Sequence, residues 1–188
     1  MSFGEHVIQL NDAREMPLLG LGVYKATEDA ELKQAIGDAV SFGYHLIDTA
    51  SFYKNEEGIG KALKTLSIPR EDLFITTKIW NTAQRIGDIE DSFHRSLERL
   101  GLDYVDLYLI HWPVPGCFCD TWHAMEKLQA QGKIKSIGVS NFSIQDLETL
   151  MASTDIIPAV NQVEFHPLFN HPQLLAYCKE HHIAVQAY

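Results

Sequence analysis

Asp48, Tyr53, Lys78 and His111 are residue types that could share one proton-transfer task. Three of them close or interrupt apolar runs: Tyr44, Leu46 and Ile47 lead into Asp48, Leu73-Phe74-Ile75 precedes Lys78, and Leu107 to Ile110 precedes His111. Tyr53 follows Asp48 in what must be a loop. A lysine flanked by such a strand and by Ile79-Trp80 is hard to place on a surface. Burying its ammonium costs several kcal/mol unless it is paired, and Asp48 is the available partner. Taken singly, Lys78 reads equally well as half of a structural ion pair, and His111 as a hydrogen-bonded core histidine. Taken together they have a coherent job. A free tyrosine has a pKa of about 10. A neighbouring ammonium stabilises the tyrosinate and brings the phenol toward the range where it can donate and recover a proton. Asp48 would hold Lys78 in place and charged, and His111 would orient a carbonyl oxygen toward Tyr53. Such a site protonates an oxygen while hydride reaches the carbon. None of these side chains supplies hydride, so the chemistry requires a nicotinamide cofactor.

Those residues must be positioned by strands. Residues 7–10 and 15–16 around Asn11-Asp12 predict a short hairpin. Residues 18–24 read as the first core strand, with Gly20 and Gly22 permitting close backbone approach. They do not form the GxGxxG fingerprint of a Rossmann phosphate loop. Leu32, Ala35, Ile36, Ala39 and Val40 give 28–42 one helical face, stopped at Gly43. Further strands are expected to end at Asp48, around Lys78, at His111, before Ser140-Asn141, near Gln162 and at Tyr188. Helices are predicted between them: from Asn55-Glu56-Glu57 with Ile59, Leu63 and Leu66, over 88–100 to Gly101, over 121–131 to Gly132, from a Ser143–Asp146 capping box, and from Pro172. The strand ends recur at spacings from 22 residues (Ser140 to Gln162) to 33 (Lys78 to His111), a βα-unit length. This alternation defines one α/β domain with a parallel sheet. A complete (β/α)₈ barrel takes about 250 residues, so seven strands at most are expected here, the last one short.

Composition bounds the partners. The chain has 188 residues, 46% hydrophobic and 21% charged, with a net charge of -10. That acidity leaves no footprint for nucleic acid or an anionic membrane. No signal peptide or bilayer-spanning run is evident. Cys117, Cys119 and Cys178 do not make a disulfide framework; with the rest, this points to a cytoplasmic protein, read as a monomer. No metal site is expected: His166, His171, His181 and His182 read as surface or capping residues, and no His-x-His marks a strand end.

Several segments, in order along the chain, resemble the aldo-keto reductases, most closely the small bacterial members related to 2,5-diketo-gluconate reductases. They are Leu18-Leu19-Gly20-Leu21-Gly22, Ile47-Asp48-Thr49-Ala50 with Tyr53 and Asn55-Glu56-Glu57, and Thr76-Thr77-Lys78-Ile79-Trp80. Asp106 to Pro113, Ile137 to Phe142, Val160 to Glu164 and Gln186-Ala187-Tyr188 complete the series. The resemblance implies a TIM barrel, with residues 1–188 as a single domain lacking the end of strand seven and the eighth βα unit. It implies NAD(P)H-dependent reduction of aldehyde or ketone carbonyls by a tetrad of Asp48, Tyr53, Lys78 and His111. Ser140, Asn141 and Gln162 would hold the nicotinamide carboxamide, and Tyr188 would stack on its ring. Val23 and Tyr24 would also contact cofactor, while Tyr24, Trp80, His111 and Trp112 would line the substrate mouth; ordinary barrel packing explains Val23 as well. NADPH is the expected cofactor and NADH stays open, because the basic loop that reads the 2′-phosphate in the family is not in this sequence. His45 stands where the family often has arginine. A cofactor-binding regulatory protein and an inactive shortened reductase are the competing readings. A regulatory protein need not keep all four tetrad residues.

Overall fold

The structure, a computed structural model, describes residues 6–188; the first five residues of the expected domain lie outside the described residues. An antiparallel hairpin of β1 (Val7–Gln9) and β2 (Glu15–Pro17) precedes the main sheet. The chain then runs β3 (Gly20–Gly22), α1 (Asp29–Ser41), β4 (Leu46–Asp48), α2 (Glu56–Leu63), β5 (Phe74–Ile79), α3 (Asn81–Ile86), α4 (Ile89–Leu100) and β6 (Val105–Ile110). It continues with α5 (Phe118–Ala130), β7 (Ile134–Ser140), α6 (Ile144–Met151), β8 (Val160–Val163), α7 (Pro172–Glu180) and β9 (Ala184–Ala187). Strands β3 to β9 form one seven-stranded sheet in sequence order, and every pairing is parallel. It is a curled barrel-type sheet, with the helices on its outer side.

Strand alternation divides the apolar residues between two cores. Ile47, Ile75, Tyr108, Ile110, Ile137 and Val139 pack outward with the helices. Leu46, Phe74, Leu107, Leu109 and Val160 point the other way and meet Leu10 and Met16 of the hairpin. The hairpin thus covers the N-terminal end of the sheet's inner face. It is tied there by Asn11 Nδ2 donating to Pro158 O (3.0 Å) and Ser136 Oγ donating to Asp12 Oδ2 (2.6 Å). Because successive side chains alternate faces, the same inner rows run on through Asp48, Lys78, His111, Ser140 and Gln162.

Local signals account for several helix ends. Gly43, Gly101 and Gly132 take positive φ after α1, α4 and α5, where a left-handed residue closes a helix at little cost when it lacks a Cβ. Ser143 and Asp146 form the expected capping box at α6. The expected 18–24 strand is only Gly20–Gly22, and Leu18 and Leu19 are exposed; an edge strand with one partner has little to extend it. A Cβ at Gly20 would run into Leu46 Cδ2, whereas Gly22 faces open space, so close approach applies to Gly20 alone. Helix α3 was not expected from the sequence: its six residues are too few to display an apolar period. Helix α5 starts at Phe118, three residues ahead of the predicted 121, and Leu66 lies beyond α2.

Candidate active site

At the C-terminal ends of the strands, a cavity of about 430 Å³ is lined by Asp48, Tyr53, His111, Ser140, Asn141 and Gln162. Its aromatic walls are Tyr24, Phe52, Trp80, Trp112 and Tyr188, with Gly22 and Val23 at one margin. Parallel α/β sheets place ligands at this end.

Lys78 lies just behind the cavity wall and is fully buried. Its ammonium donates to Asp48 Oδ1 and to the Thr49 carbonyl (2.9 Å). An ammonium has three donors, so one remains, and Nζ stands 5.2 Å from the centroid of the Tyr53 ring. Asp48 Oδ2 accepts from Gln162 Nε2 at 2.7 Å. The carboxylate therefore bridges the lysine and the amide.

Tyr53 ends a 3-10 turn (Ser51–Tyr53) that follows β4. Ser51 Oγ donates to Lys78 O at 2.9 Å, fastening that turn to β5. Burial, and then the Asp48 carboxylate, push the Tyr53 phenol well above its usual range. This corrects the expectation that Lys78 lowers it. In the described arrangement the ammonium donates to Asp48 and to the Thr49 carbonyl, and makes no hydrogen bond to the phenol. Tyr53 is therefore a protonated phenol at neutral pH, which is the form a proton donor needs.

His111 stands edge-on to Tyr53, with ring centroids 5.7 Å apart, and to Trp80 at 5.0 Å. Burial and the nearby Lys78 charge push its pKa down to about 3, so the ring is neutral at pH 7. Its Nδ1 is buried with no hydrogen-bond partner. A neutral imidazole carries one N–H, and the unpartnered Nδ1 favours placing that proton on Nε2, the nitrogen with access to the cavity.

Ser140, Asn141 and Gln162 form a linked polar row. Ser140 Oγ donates to Gln162 O (2.8 Å), and Asn141 Nδ2 donates to His111 O (3.0 Å) and to Ser140 Oγ (3.1 Å). Tyr188 Oη donates to Asn141 Oδ1 at 2.7 Å, and half of Tyr188 remains exposed. Gln162 Nε2 also donates to Gln186 Oε1 at 2.9 Å.

The residues singled out from the sequence therefore gather at one place, with two qualifications. Lys78 reaches the cavity through its partners, and the Val23 side chain is 2% exposed and packed in the outer core, as barrel packing alone would have it. Three participants were not singled out. Phe52 stacks on Trp80 with centroids 3.8 Å apart; nothing in its loop position announces this. Asn55, read only as a helix start, is buried and makes three hydrogen bonds. Gln186 shares the inner-face parity of Gln162, a signal that strand alternation could have supplied.

A curled parallel sheet with an acid, a lysine, a histidine and two amides on its inner face, all at the strand C-termini, defines a barrel-type protein with a preformed polar cavity. Residues 18–188 match the aldo/keto reductase family. Glyoxal reductase of Bacillus subtilis is 48% identical over 181 residues, covering 96% of this chain and 66% of that enzyme. The crystal structure of an aldo/keto reductase from Brucella melitensis superposes with a TM-score of 0.93 at 45% identity, over 97% of this chain and 72% of that one. A Bombyx mori aldo-keto reductase solved in complex with NADP gives a TM-score of 0.88 at 37% identity, over 97% and 66% of the two chains. The chain belongs to the aldo/keto reductase family, and it spans 66% of the length of the glyoxal reductase it matches.

Proposed function

We propose that this chain carries the catalytic part of an NADPH-dependent carbonyl reductase acting on small aldehydes and ketones. The observation that carries the reading is the Asp48–Lys78 pair beside a protonated Tyr53 and a neutral His111 on one cavity. In this reading His111 Nε2–H and the Tyr53 hydroxyl converge on the carbonyl oxygen. As charge develops on that oxygen, Tyr53 transfers its proton to it. The remaining Lys78 N–H then stabilises the phenolate left behind, a role that matters only once the phenol has lost its proton. The aromatic walls would flank the reacting carbonyl.

A nicotinamide cofactor, when bound, supplies the hydride. The cavity's donor set suits it. Gln162, Asn141 and Ser140 offer amide and hydroxyl groups of the kind a carboxamide pairs with, Gln162 Oε1 makes no hydrogen bond among the described residues, and the Tyr188 ring offers an exposed face. Tyr24, Trp80 and Trp112 would line the substrate side. The Bombyx structure with NADP favours NADPH over NADH. The name of the Bacillus relative favours α-dicarbonyls such as glyoxal. We place the protein in the cytoplasm as a monomeric single domain over residues 1–188. Among the described residues, no helix is long and apolar enough to cross a membrane.

A fluorescence titration tests the reading, since Trp80 and Trp112 border the cavity. Saturable quenching by NADPH, followed by NADPH oxidation on adding glyoxal or methylglyoxal, is the expected result. Cofactor binding without oxidation of NADPH by any carbonyl offered would point instead to a regulatory protein.

A further inference from the structure

Phenol and ammonium can act as a pair only if the loop carrying Tyr53 and the strand carrying Lys78 keep one spacing. The tetrad itself does not fix this. Tyr53 sits on a short turn, and the next residue, Lys54, is held in the left-handed region at φ 57°. Asn55 follows, and it is 3% exposed. Its Oδ1 accepts from Thr49 Oγ1 at 2.8 Å, and its Nδ2 donates to Val23 O (2.8 Å) and Ala26 O (2.9 Å). Thr49 is the residue whose carbonyl accepts from Lys78 Nζ. One buried amide therefore ties the Tyr53 loop, the loop after β3 and the acceptor of the ammonium to one another. A satisfied buried amide of this kind is costly to disturb and rigid.

We infer that Asn55 is a positioning residue for proton donation, holding the Tyr53 phenol and the Lys78 ammonium at a fixed spacing through Thr49. Its neighbour braces the same unit from the other side. Glu56, 1% exposed, accepts from Thr77 Oγ1 at 2.7 Å, one residue before Lys78, and from Arg99 Nε and Nη2 at 2.8 and 2.6 Å. The Asn55-Glu56 dipeptide thus grips the β4 end and β5 together. A helix-capping role alone does not explain this: the Asn55 side chain makes no cap hydrogen bond to α2.

This inference rests on the reductase reading for its catalytic consequence, but its geometric core can be tested apart from activity. The probe is the full chain labelled with [13Cζ]tyrosine, the Tyr53 resonance being identified by its loss in Tyr53→Phe. Asn55→Ala and Thr49→Val are expected to move that resonance at pH 7 to 10, whereas Thr49→Ser, which keeps the hydroxyl, leaves it in place. In turnover, the first two variants should lose about tenfold or more in kcat, with the KM for NADPH within about twofold of the parent, and Thr49→Ser should recover the parental rate. If Asn55→Ala does not fold, Thr49→Val and Thr49→Ser still decide the question. A Tyr53 resonance that Asn55→Ala and Thr49→Val leave where it is in the parent overturns the inference, whatever the rates. A parent without carbonyl reduction, but with the resonance moving as described, overturns the reductase reading and leaves the positioning intact.

Discussion

At the residue scale, the Lys78 ammonium is the group under most constraint. It is fully buried, and the carboxylate of Asp48 is its sole anionic partner among the described residues. Removing that partner leaves an uncompensated charge in the barrel interior. Asp48→Ala is therefore expected to destabilise the chain by about 3–5 kcal/mol, measurable by urea unfolding; a loss below 1 kcal/mol would mean that the pair behaves like a surface contact. His111 adds a pH dependence of definite sign. Folded, it stays neutral down to about pH 3, while in the unfolded chain it takes up a proton below its ordinary value of 6.5. Between those limits the unfolded state binds the extra proton, so acid erodes stability, by up to about 1.4 kcal/mol per pH unit from this group. Above pH 6.5 the group adds no slope. The stability-versus-pH curve of His111→Gln should be flatter than the parent's by one proton over that window, and superimposable curves would contradict the burial of a neutral ring.

Elements position these residues by parity and by close approach. The inner rows Leu46-x-Asp48, Phe74-x-Thr76-x-Lys78, Leu107-x-Leu109-x-His111 and Val160-x-Gln162 each pass from apolar core to polar strand end, with the core residues in the inner cluster. The polar strand ends were legible in the sequence as charged or histidine residues closing apolar runs. The division into two faces was not, because strands buried on both sides read as continuous apolar runs. Gly138 lets β7 meet its neighbours: a Cβ there would lie 2.7 Å from Val160 O and 2.8 Å from Leu109 Cδ2. Gly138→Ala must push β7 away from β8, displacing Ser140 from the polar row, at a cost of about 1–3 kcal/mol in thermal or urea unfolding. An alanine variant as stable as the parent would show that the strands shift freely. What the sequence left hidden was short or non-local. The six residues of α3 carry no period, and β3 shrank because pairing, which sequence does not display, decides an edge strand's length. Asn55 looked like a helix start, since its partners Thr49, Val23 and Ala26 are brought to it only by the curl of the sheet.

For the whole molecule, the gathering of Asp48, Tyr53, Lys78 and His111 at one place was readable from residue type and spacing, but their electrostatics were not. Sequence reasoning assigned Lys78 to lowering the Tyr53 pKa, whereas burial and Asp48 raise it. Only the folded arrangement shows that two of the ammonium's three donors go to a carboxylate and a carbonyl and none to the phenol. Proton donation by Tyr53 is the claim on which the functional reading turns. Its most direct test is a single-turnover measurement of NADPH oxidation by glyoxal at saturating cofactor, comparing the parent chain with Tyr53→Phe and following cofactor binding in the same samples. The phenylalanine variant should bind NADPH with parental affinity and oxidise it about 10²–10⁴-fold more slowly. Parental rates in Tyr53→Phe would contradict the assignment of Tyr53 as the acid, and with it the proposed mechanism.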